Sequence, residues 1–335
     1  MNNLVPRCPT EQSMVVNCVA YHKNGTRIGD VTIEAISDVL KDPDSFVWVG
    51  LHEPSAELLE QLQEEFGLHD LAIEDAQSAH QRTKIETYGD SLFIVVQTAQ
   101  LIDGSIAFGE THIFLGPRYL ITVRHGASLS YAPARRSCEN TPELLANGPS
   151  YGLYAILDFI VDNFLPLVTD FREELHDLER DVFAQTFNRG TIQRLYDMQR
   201  ELMTLRLAVA PLQDITNQLV RLHPQLIADE VRVYFRDVYD HVFRVNEAIG
   251  TIREMLSAAM NVNLALVTFG QNEVVKKLAG WAAMLAAPTL TTSWYGMNFH
   301  HMPELDKPWA YPVMIGFTCT LCIGLFFALR RAKWL

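Results

Sequence analysis

Two long runs without a charged residue lie near the C-terminal end of the chain, at residues 278–299 and 308–329. Each contains 22 residues. At the helical rise, such a run would reach about 33 Å, which matches the hydrocarbon thickness of a bilayer. The sequence therefore predicts two membrane-spanning helices joined by a short loop.

The two predicted spans differ in polarity. The first contains Pro288, Thr289, Thr291, Thr292 and Ser293, whereas the second is apolar on all sides. Polar side chains in a membrane helix normally face protein or water rather than lipid. We therefore expect the first span to line an interior surface and the second span to face lipid.

Basic residues flank the pair of spans and predict their orientation. Lys276 and Lys277 precede the first span, and Arg330, Arg331 and Lys333 follow the second. By the positive-inside rule, both termini are cytoplasmic and the loop 300–307 is external. Residues 1–16 lack the apolar stretch of a signal peptide, so we expect a multi-pass protein of the inner (plasma) membrane with a large cytosolic part.

The charge balance restricts the partners of the chain. Against 27 Lys and Arg there are 40 Asp and Glu, which gives a formal net charge of -13. Such a chain repels a phosphate backbone, so nucleic-acid binding is disfavoured. The five cysteines are too few and too scattered for a disulfide framework, which favours a reducing compartment.

Residues 1–150 read as a cytosolic α/β domain with a mixed sheet. Ser55 is the expected cap of a helix over 55–66, and a second helix is expected over 69–76. A polar, proline-containing stretch at 127–150 is expected to be a loop that closes the domain. Apolar runs rich in Val, Ile and Phe predict strands at 14–21, 46–51, 92–101, 106–115 and 119–124.

From residue 151 onward the pattern is helical. Between residues 225 and 296 the only proline is Pro288, and a continuous helix over these 72 residues would be about 108 Å long. Its apolar residues recur at intervals of three and four residues, so the helix has an apolar face to bury against other helices or subunits. The predicted organisation is a helical region and stalk at 151–277, followed by the first span, the loop, the second span and a basic tail at 330–335. The expected apolar face comprises Val231, Tyr234, Phe235, Val238, Val242, Val245, Ile249, Ile252, Met255 and Leu256.

A short motif stands at the outer end of the first span. The sequence Tyr-Gly-Met-Asn-Phe at 295–299 is followed by Met-Pro-Glu-Leu at 302–305, between the two spans. This arrangement resembles the signature of the CorA family of magnesium and cobalt channels. The resemblance extends inward through residues 234–241 and 271–274, and more loosely to 48–51 and 69–76.

The resemblance implies an α+β membrane protein that forms a homopentameric funnel. In such a protein the stalk helix continues as the pore-lining first span, and the second span faces the lipid bilayer. Gly296, Met297 and Asn298 would form the selective pore mouth. A ring of five Asn298 carbonyls could accept hydrogen bonds from the waters of hydrated Mg²⁺, which gives up its waters reluctantly. Glu304 and Asp306 would raise the local cation concentration beside it.

Six residues below the motif fall on one stripe of the same helix, at spacings of three and four. We expect this stripe to face the pore axis. By the resemblance, Asn272 and Thr289 match polar pore positions and Leu278 matches an apolar constriction. A ring of leucines at that level could gate the pore by dewetting. The six residues are Asn272, Val275, Leu278, Ala282, Ala286 and Thr289.

The resemblance also implies regulation by the transported ion, with Mg²⁺ bound between adjacent subunits holding the channel closed. The matching positions are Asp237 on the stalk helix and Asp90. Two carboxylates that face each other repel unless a cation lies between them. Falling internal Mg²⁺ would then loosen the closed state.

The predicted function is therefore Mg²⁺ influx down the electrochemical gradient, with Co²⁺ and Ni²⁺ as further cargo, and no enzymatic activity. An alternative function is that of a zinc or other transition-metal transporter of the same superfamily, because of His300, His301 and Ala286. A non-conducting membrane scaffold or metal sensor is the remaining alternative. Cys319 and Cys322 are expected to be small packing residues rather than a metal or redox site.

Overall fold

A computed structural model describes residues 14–102, 104–183, 189–297, 302 and 306–334. The strands are β1 (Val15–His22), β2 (Arg27–Asp30), β3 (Ser45–His52), β4 (Lys84–Tyr88), β5 (Ser91–Ile102), β6 (Ser105–Gly116) and β7 (Tyr119–Gly126). The helices are α1 (Ile36–Val39), α2 (Ala56–Phe66), α3 (Asp70–Gln77), α4 (Ala132–Glu139), α5 (Pro142–Leu145), α6 (Pro149–Asp162), α7 (Phe164–Phe183), α8 (Arg189–Leu222), α9 (Arg232–Tyr295) and α10 (Ala310–Arg331), and a short 3-10 turn, Ile33–Ala35, precedes α1.

The strands form one mixed sheet in the order β2-β1-β3-β7-β6-β5-β4. β3 and β7 pair in parallel, and the other neighbouring strands pair antiparallel. The predicted mixed sheet is therefore confirmed. β2 and β4, which the sequence pattern did not predict, are the short edge strands, where few residues are buried and the apolar alternation is weak.

Helices cover both faces of the sheet. Leu58, Leu59 and Leu62 of α2 belong to the core on one face. On the other face α6 lies so close that a Cβ at Gly152 would stand 2.7 Å from Leu120. Because it is covered on both sides, β3 is buried almost throughout instead of alternating. The predicted helix cap is also confirmed, since Ser55 Oγ accepts a hydrogen bond from the Leu58 amide at 3.3 Å.

The prediction of a loop over 127–150 was wrong for most of that stretch, which contains α4, α5 and the start of α6. Three of its prolines, Pro133, Pro142 and Pro149, each stand in the first turn of a helix. Proline is tolerated there because its missing N–H has no intrahelical partner to lose. α6 then packs on the sheet, so a division at residue 150 does not coincide with a break in the core.

The long helix is present as α9, with 64 residues and a length of about 96 Å. It begins at Arg232 rather than at 225, because turns that follow His223 and Pro224 occupy the intervening residues. The predicted apolar face is buried from Val231 to Leu256, except that Tyr234 is partly exposed and Met255 is exposed. α8 lies alongside, where Gln213 donates a hydrogen bond to Tyr239 at 3.0 Å.

The chain divides into two compact units. One comprises the described residues up to Glu179 together with Gly190–Leu256, and it contains the sheet and its helices. The other comprises the described residues among Arg180–Arg189 and Ser257–Leu335, and it contains the end of α9 and all of α10.

Two described segments are long and apolar enough to cross a membrane by composition alone. One is Ala310–Arg331, with a mean hydropathy of 2.1 and no buried residues in its most apolar stretch. The other is Pro149–Val182, which is half buried and belongs largely to the core of the first unit. The end of α9 does not meet this measure, because Pro288 and the residues from Thr289 to Ser293 lower its hydropathy.

Candidate ion pathway and metal site

The six predicted pore-lining residues lie on α9, whose helix is continuous from Arg232 to Tyr295. At 100° per residue their spacing places them within an arc of about 120° on one face. Within a single chain all six are exposed, including Leu278 at 70%. The stripe is therefore a continuous surface of small, apolar and hydroxyl side chains that the chain itself leaves uncovered.

α10 contacts a different face of α9. The hydroxyl of Thr318 on α10 donates a hydrogen bond to the hydroxyl of Thr291 at 3.3 Å. Thr291 lies about 160° around the helix from the centre of the predicted stripe. In this unit, α10 thus stands behind α9 and leaves the stripe free, which is the arrangement expected of an inner and an outer helix.

The threonines of α9 satisfy their hydroxyl groups within the helix. Thr289 donates to the Leu285 carbonyl at 2.8 Å, and Thr292 donates to the Pro288 carbonyl at 2.9 Å. Thr291 donates to the same Pro288 carbonyl at 2.9 Å. Such internal bonds lower the cost of a hydroxyl in an apolar medium. The polarity of this segment is therefore compatible with a membrane helix.

The predicted pore mouth is described only in part. The Gly296 amide donates to the Thr292 carbonyl at 3.0 Å, so the backbone continues the helical hydrogen bonding for one more residue. Met297 and Asp306 are exposed. Asn298, Glu304, His300 and His301 lie outside the described residues.

The two predicted regulatory aspartates lie on different elements. Asp90 occupies the two-residue turn between β4 and β5, beside Gly89 with φ of +59°, and is exposed. Asp237 lies on α9, with its side chain 63% exposed. Within the described part of the chain the two do not belong to a common cluster of metal-ligating groups.

Asp237 instead borders a cluster that sequence reasoning missed. His241, one turn further along α9, has its Nε2 atom 3.8 Å from Asp237 Oδ2 and its Nδ1 atom 3.3 Å from Asp162 Oδ1. Asp158 completes the group, and one potential ligand atom from each of Asp158, Asp162 and His241 lies within 4.8 Å of the others. Two carboxylates and an imidazole at this spacing could hold a divalent ion.

The electrostatics of the cluster favour a bound cation. Burial, reinforced by the neighbouring charges of Asp162 and Asp237, raises the pKa of Asp158 to about 6, although His241 acts in the opposite direction. The Nδ1 atom of His241 is inaccessible to solvent, and although Asp162 Oδ1 lies 3.3 Å away, no hydrogen bond of suitable geometry is formed with it or with any other described residue. A divalent ion would compensate both features, since it neutralises the carboxylates and accepts the nitrogen lone pair.

The sequence contains a signal for this cluster in two spacings of four residues. Asp158 and Asp162 lie one turn apart on α6, and Asp237 and His241 lie one turn apart on α9. An i,i+4 pair places two ligands on one helix face. Either pair alone is common on exposed helices, and only the packing of α6 against α9 brings them together, for example through Tyr154 and Tyr234 with ring centroids 5.1 Å apart.

The chain is similar to known proteins both in sequence and in structure. The chain matches the family model described as "CorA-like Mg2+ transporter protein" over residues 43–331. It is 29% identical over 301 residues to the cobalt/magnesium transport protein CorA of Thermotoga maritima, covering 88% of this chain and 85% of that protein. It is also 23% identical over 319 residues to the divalent cation transporter CmaX of Pseudomonas aeruginosa, covering 93% of each chain.

The fold is likewise similar to a solved structure, that of the complete CorA magnesium transporter from Methanocaldococcus jannaschii. The TM-score is 0.79 at 19% identity, and the match covers 96% of this chain and 99% of the other. A mixed sheet, a long helix and two C-terminal helices are thus found together in both. Because the family model spans most of the sequence, the chain belongs to the family of CorA-like Mg²⁺ transporters.

Proposed function

We propose that the chain assembles as a homopentameric channel that carries Mg²⁺ into the cell down its electrochemical gradient, with the end of α9 lining the pore. Membership of a transporter family supports transport rather than catalysis as the activity. The observation that carries the pore assignment is the free stripe of α9 opposite the face that α10 contacts. A membrane potential of 100 mV, negative inside, would supply about 2.3 kcal/mol per charge without ATP.

The stripe has the chemistry that a pore for a hydrated ion needs. Asn272 and Thr289 offer polar groups near its two ends, whereas Leu278, Ala282 and Ala286 form an apolar stretch between them. Apolar rings favour gating by dewetting, and amide rings favour hydrogen bonding to the waters of the ion. By analogy with the family, we propose that the Asn298 amides form a ring at the outer mouth, beyond Gly296 and Met297, and that Glu304 and Asp306 lie in the adjacent loop.

Reconstitution into liposomes tests this function. Purified protein would be incorporated with a magnesium-sensitive dye inside the vesicles, and uptake would be compared among Mg²⁺, Co²⁺, Ni²⁺ and Zn²⁺ for wild type and Asn298→Ala. We expect Mg²⁺ uptake that is lost in the variant. Uptake of Zn²⁺ without Mg²⁺ would replace the proposal with a transition-metal transporter. A failure to conduct any ion would replace it with a non-conducting scaffold or sensor.

We further propose that cytosolic divalent ions close the channel through the first unit. Asp237 and Asp90 are the expected ligands of Mg²⁺ between adjacent subunits, and the Asp158, Asp162 and His241 cluster lies beside Asp237. Ions bound there would stabilise the closed pentamer by relieving carboxylate repulsion. The imidazole gives this cluster a nitrogen ligand, which suits Co²⁺, Ni²⁺ and Zn²⁺ better than Mg²⁺.

The regulatory proposal is tested by measuring flux while the Mg²⁺ concentration on the cytosolic side is varied. Asp237→Asn is expected to raise the concentration needed for closure, because one ligand of each site is lost. Asp240→Asn is a matched control, since it removes a carboxylate from the same helix outside the cluster. Equal closure in wild type and Asp237→Asn would contradict the assignment.

A further inference from the structure

A small polar cavity lies in the first unit, at the carboxyl end of the parallel strands β3 and β7 and on the side of the sheet that faces α6. Its volume is about 20 Å³, and its lining includes Arg124 of β7, Arg135 of α4, Asn17 and Thr122. This volume suffices for one particle of about the size of a water molecule. No acidic side chain is among the described residues that line it.

Arg124 brings a buried positive charge to the cavity. The residue is only 7% exposed. Its Nη1 atom donates to the carbonyls of Ser128 at 3.4 Å and Leu129 at 3.0 Å, and its guanidinium carbon lies 5.8 Å from the centre of the Tyr131 ring. These partners are all neutral, and in the described part of the chain no carboxylate pairs with Arg124. Burial lowers the pKa of the guanidinium, yet a guanidinium stays charged at neutral pH.

Arg135 brings a second charge that is only loosely compensated. Its Nε atom is inaccessible to solvent and has no hydrogen-bond partner among the described residues. The Oε1 atom of Glu139 lies 3.8 Å away, beyond hydrogen-bond distance. That oxygen also accepts a hydrogen bond from the Tyr21 hydroxyl at 2.7 Å and lies 3.9 Å from Arg27 Nε. Glu139 therefore compensates no more than one of the two guanidiniums that line the cavity, and an excess of one positive charge remains.

The neutral polar groups of the cavity hold neighbouring strands together. Thr122 donates to the Val49 carbonyl at 3.3 Å, and Asn17 donates through Nδ2 to the Trp48 carbonyl at 3.3 Å. Asn17 follows an irregularity in the pairing of β1 with β3, and its amide lies so close over Gly50 that a Cβ there would collide with it. The guanidiniums thus remain as the charged groups of the cavity. Because a guanidinium only donates hydrogen bonds, a matching ligand must accept them.

We propose that this cavity binds a small monovalent anion, with chloride as the physiological ion of that size, between the guanidiniums of Arg124 and Arg135. One such ion accepts hydrogen bonds from both arginines and neutralises the excess charge. A water molecule also fits the volume but would leave that charge uncompensated in a buried place. The bound anion would fix α4 on the sheet by joining it to β7. This inference concerns the first unit alone and does not rest on the proposed function.

Thermal unfolding of the full chain in detergent tests the site when sodium chloride replaces sodium gluconate at constant ionic strength. Stability is expected to rise with chloride along a saturating curve. At a tenfold excess over the dissociation constant, the unfolding equilibrium constant should fall by about elevenfold. Bromide should replace chloride, whereas phosphate is too large for the cavity. Stability that does not depend on chloride, or a stronger response to phosphate than to chloride, would overturn the proposal.

Two neighbouring arginines of α4 provide the matched variants. Arg135→Gln removes one guanidinium and should lose most of the chloride effect, whereas Arg136→Gln alters an exposed residue and should behave as wild type. An equal response in wild type and Arg135→Gln would overturn the proposal, because it would report screening of surface charges. Arg124→Gln should also lose the effect, and if it fails to fold, the comparison at 135 and 136 still decides.

Anomalous diffraction from crystals grown in bromide locates the ion directly. A bromide peak between Arg124 and Arg135 is expected in wild type and should be missing in Arg135→Gln. Bromide peaks found only at other positions would overturn the assignment of this cavity.

Discussion

The two halves of α9 have the same kind of sequence but different surroundings. From Phe235 to Leu256 most of its apolar residues recur at intervals of three and four residues and are buried within the first unit, and Phe243 and Met255 are the exposed exceptions. From Leu264 to Leu290 equally large apolar residues remain exposed, several of them by about two-thirds or more of their surface. The first half is therefore completed by its own chain, and the second half is complete only with lipid or further copies of the chain.

The largest loss of stability is expected for a substitution in the buried first half of α9. Val242→Asp would place an unpaired carboxylate in a fully buried position, at a cost of several kcal/mol, and should lower the unfolding temperature strongly or prevent folding. Val233→Asp is the matched control, because Val233 lies on the same helix and is 65% exposed. Thermal unfolding in detergent measures both. Equal destabilisation by the two variants would contradict the burial of this face by the chain itself.

Substitutions in the second half of α9 should affect the assembly of subunits rather than the folding of the chain. Phe269 lies in an apolar groove of about 910 Å³ with Val182, Leu266 and Val267. If another subunit covers this groove, Phe269→Ala should weaken the oligomer while the helical content is unchanged. Mass measurement by light scattering, together with circular dichroism, would detect this. Unchanged mass across a dilution series would show that lipid or detergent, rather than a neighbouring subunit, covers the groove.

Metal binding sharpens the comparison at Asp158 of α6, which lies in the same cluster as His241 from the first half of α9. Its pKa is raised from 3.8 to about 6, so ionisation costs stability as pH rises from about 4 to 6, and the full cost is present above that range. Asp158→Asn should therefore stabilise the metal-free protein at neutral pH by about 1 kcal/mol, after allowance for solvent screening.

The same variant should lose the stabilisation that added Co²⁺ gives to wild type. Thermal shift with and without Co²⁺ at about pH 7.5, repeated at about pH 5, measures both effects, and protonation at the lower pH should reduce the difference between the two proteins. If Co²⁺ stabilises Asp158→Asn as much as it stabilises wild type, this residue is not a ligand.

The smallest effect is expected between α9 and α10. Thr318→Val removes the hydrogen bond to Thr291, and such bonds between membrane helices contribute about 0.6 kcal/mol on average. Thr320→Val is the control, because the Thr320 hydroxyl bonds only to the Gly316 carbonyl of its own helix among the described residues. A steric-trapping or denaturant titration in detergent should separate the two variants slightly, with Thr318→Val the less stable.

Much of the fold was predictable from local sequence signals. The strand pattern, the Ser55 cap and the long helix follow from short-range periodicity, which is the information that a linear sequence carries directly. The helices over 127–150 were missed because a proline has opposite meanings in the first turn and in the interior of a helix. The start of α9 was placed seven residues too early because the turns before Arg232 contain no glycine and only one proline.

The candidate site was predictable to different degrees. Periodicity alone places Leu278, Ala282 and Ala286 on one face, and the structure adds that α10 contacts another face at Thr291. The metal cluster depends on α6 lying against α9, about 75 residues away in sequence, so its two i,i+4 pairs are visible in the sequence but their meeting is not.

The central claim is that the free stripe of α9 lines the ion pathway, and a pair of adjacent alanines tests it most directly. Ala286 lies on the stripe and Ala287 lies outside it, so Ala286→Phe would place one ring from each subunit in the proposed pore whereas Ala287→Phe would not. Mg²⁺ uptake into liposomes should be abolished by Ala286→Phe and retained by Ala287→Phe, with both proteins assembled to the same mass. Retained uptake in Ala286→Phe, or loss in Ala287→Phe alone, would contradict the account.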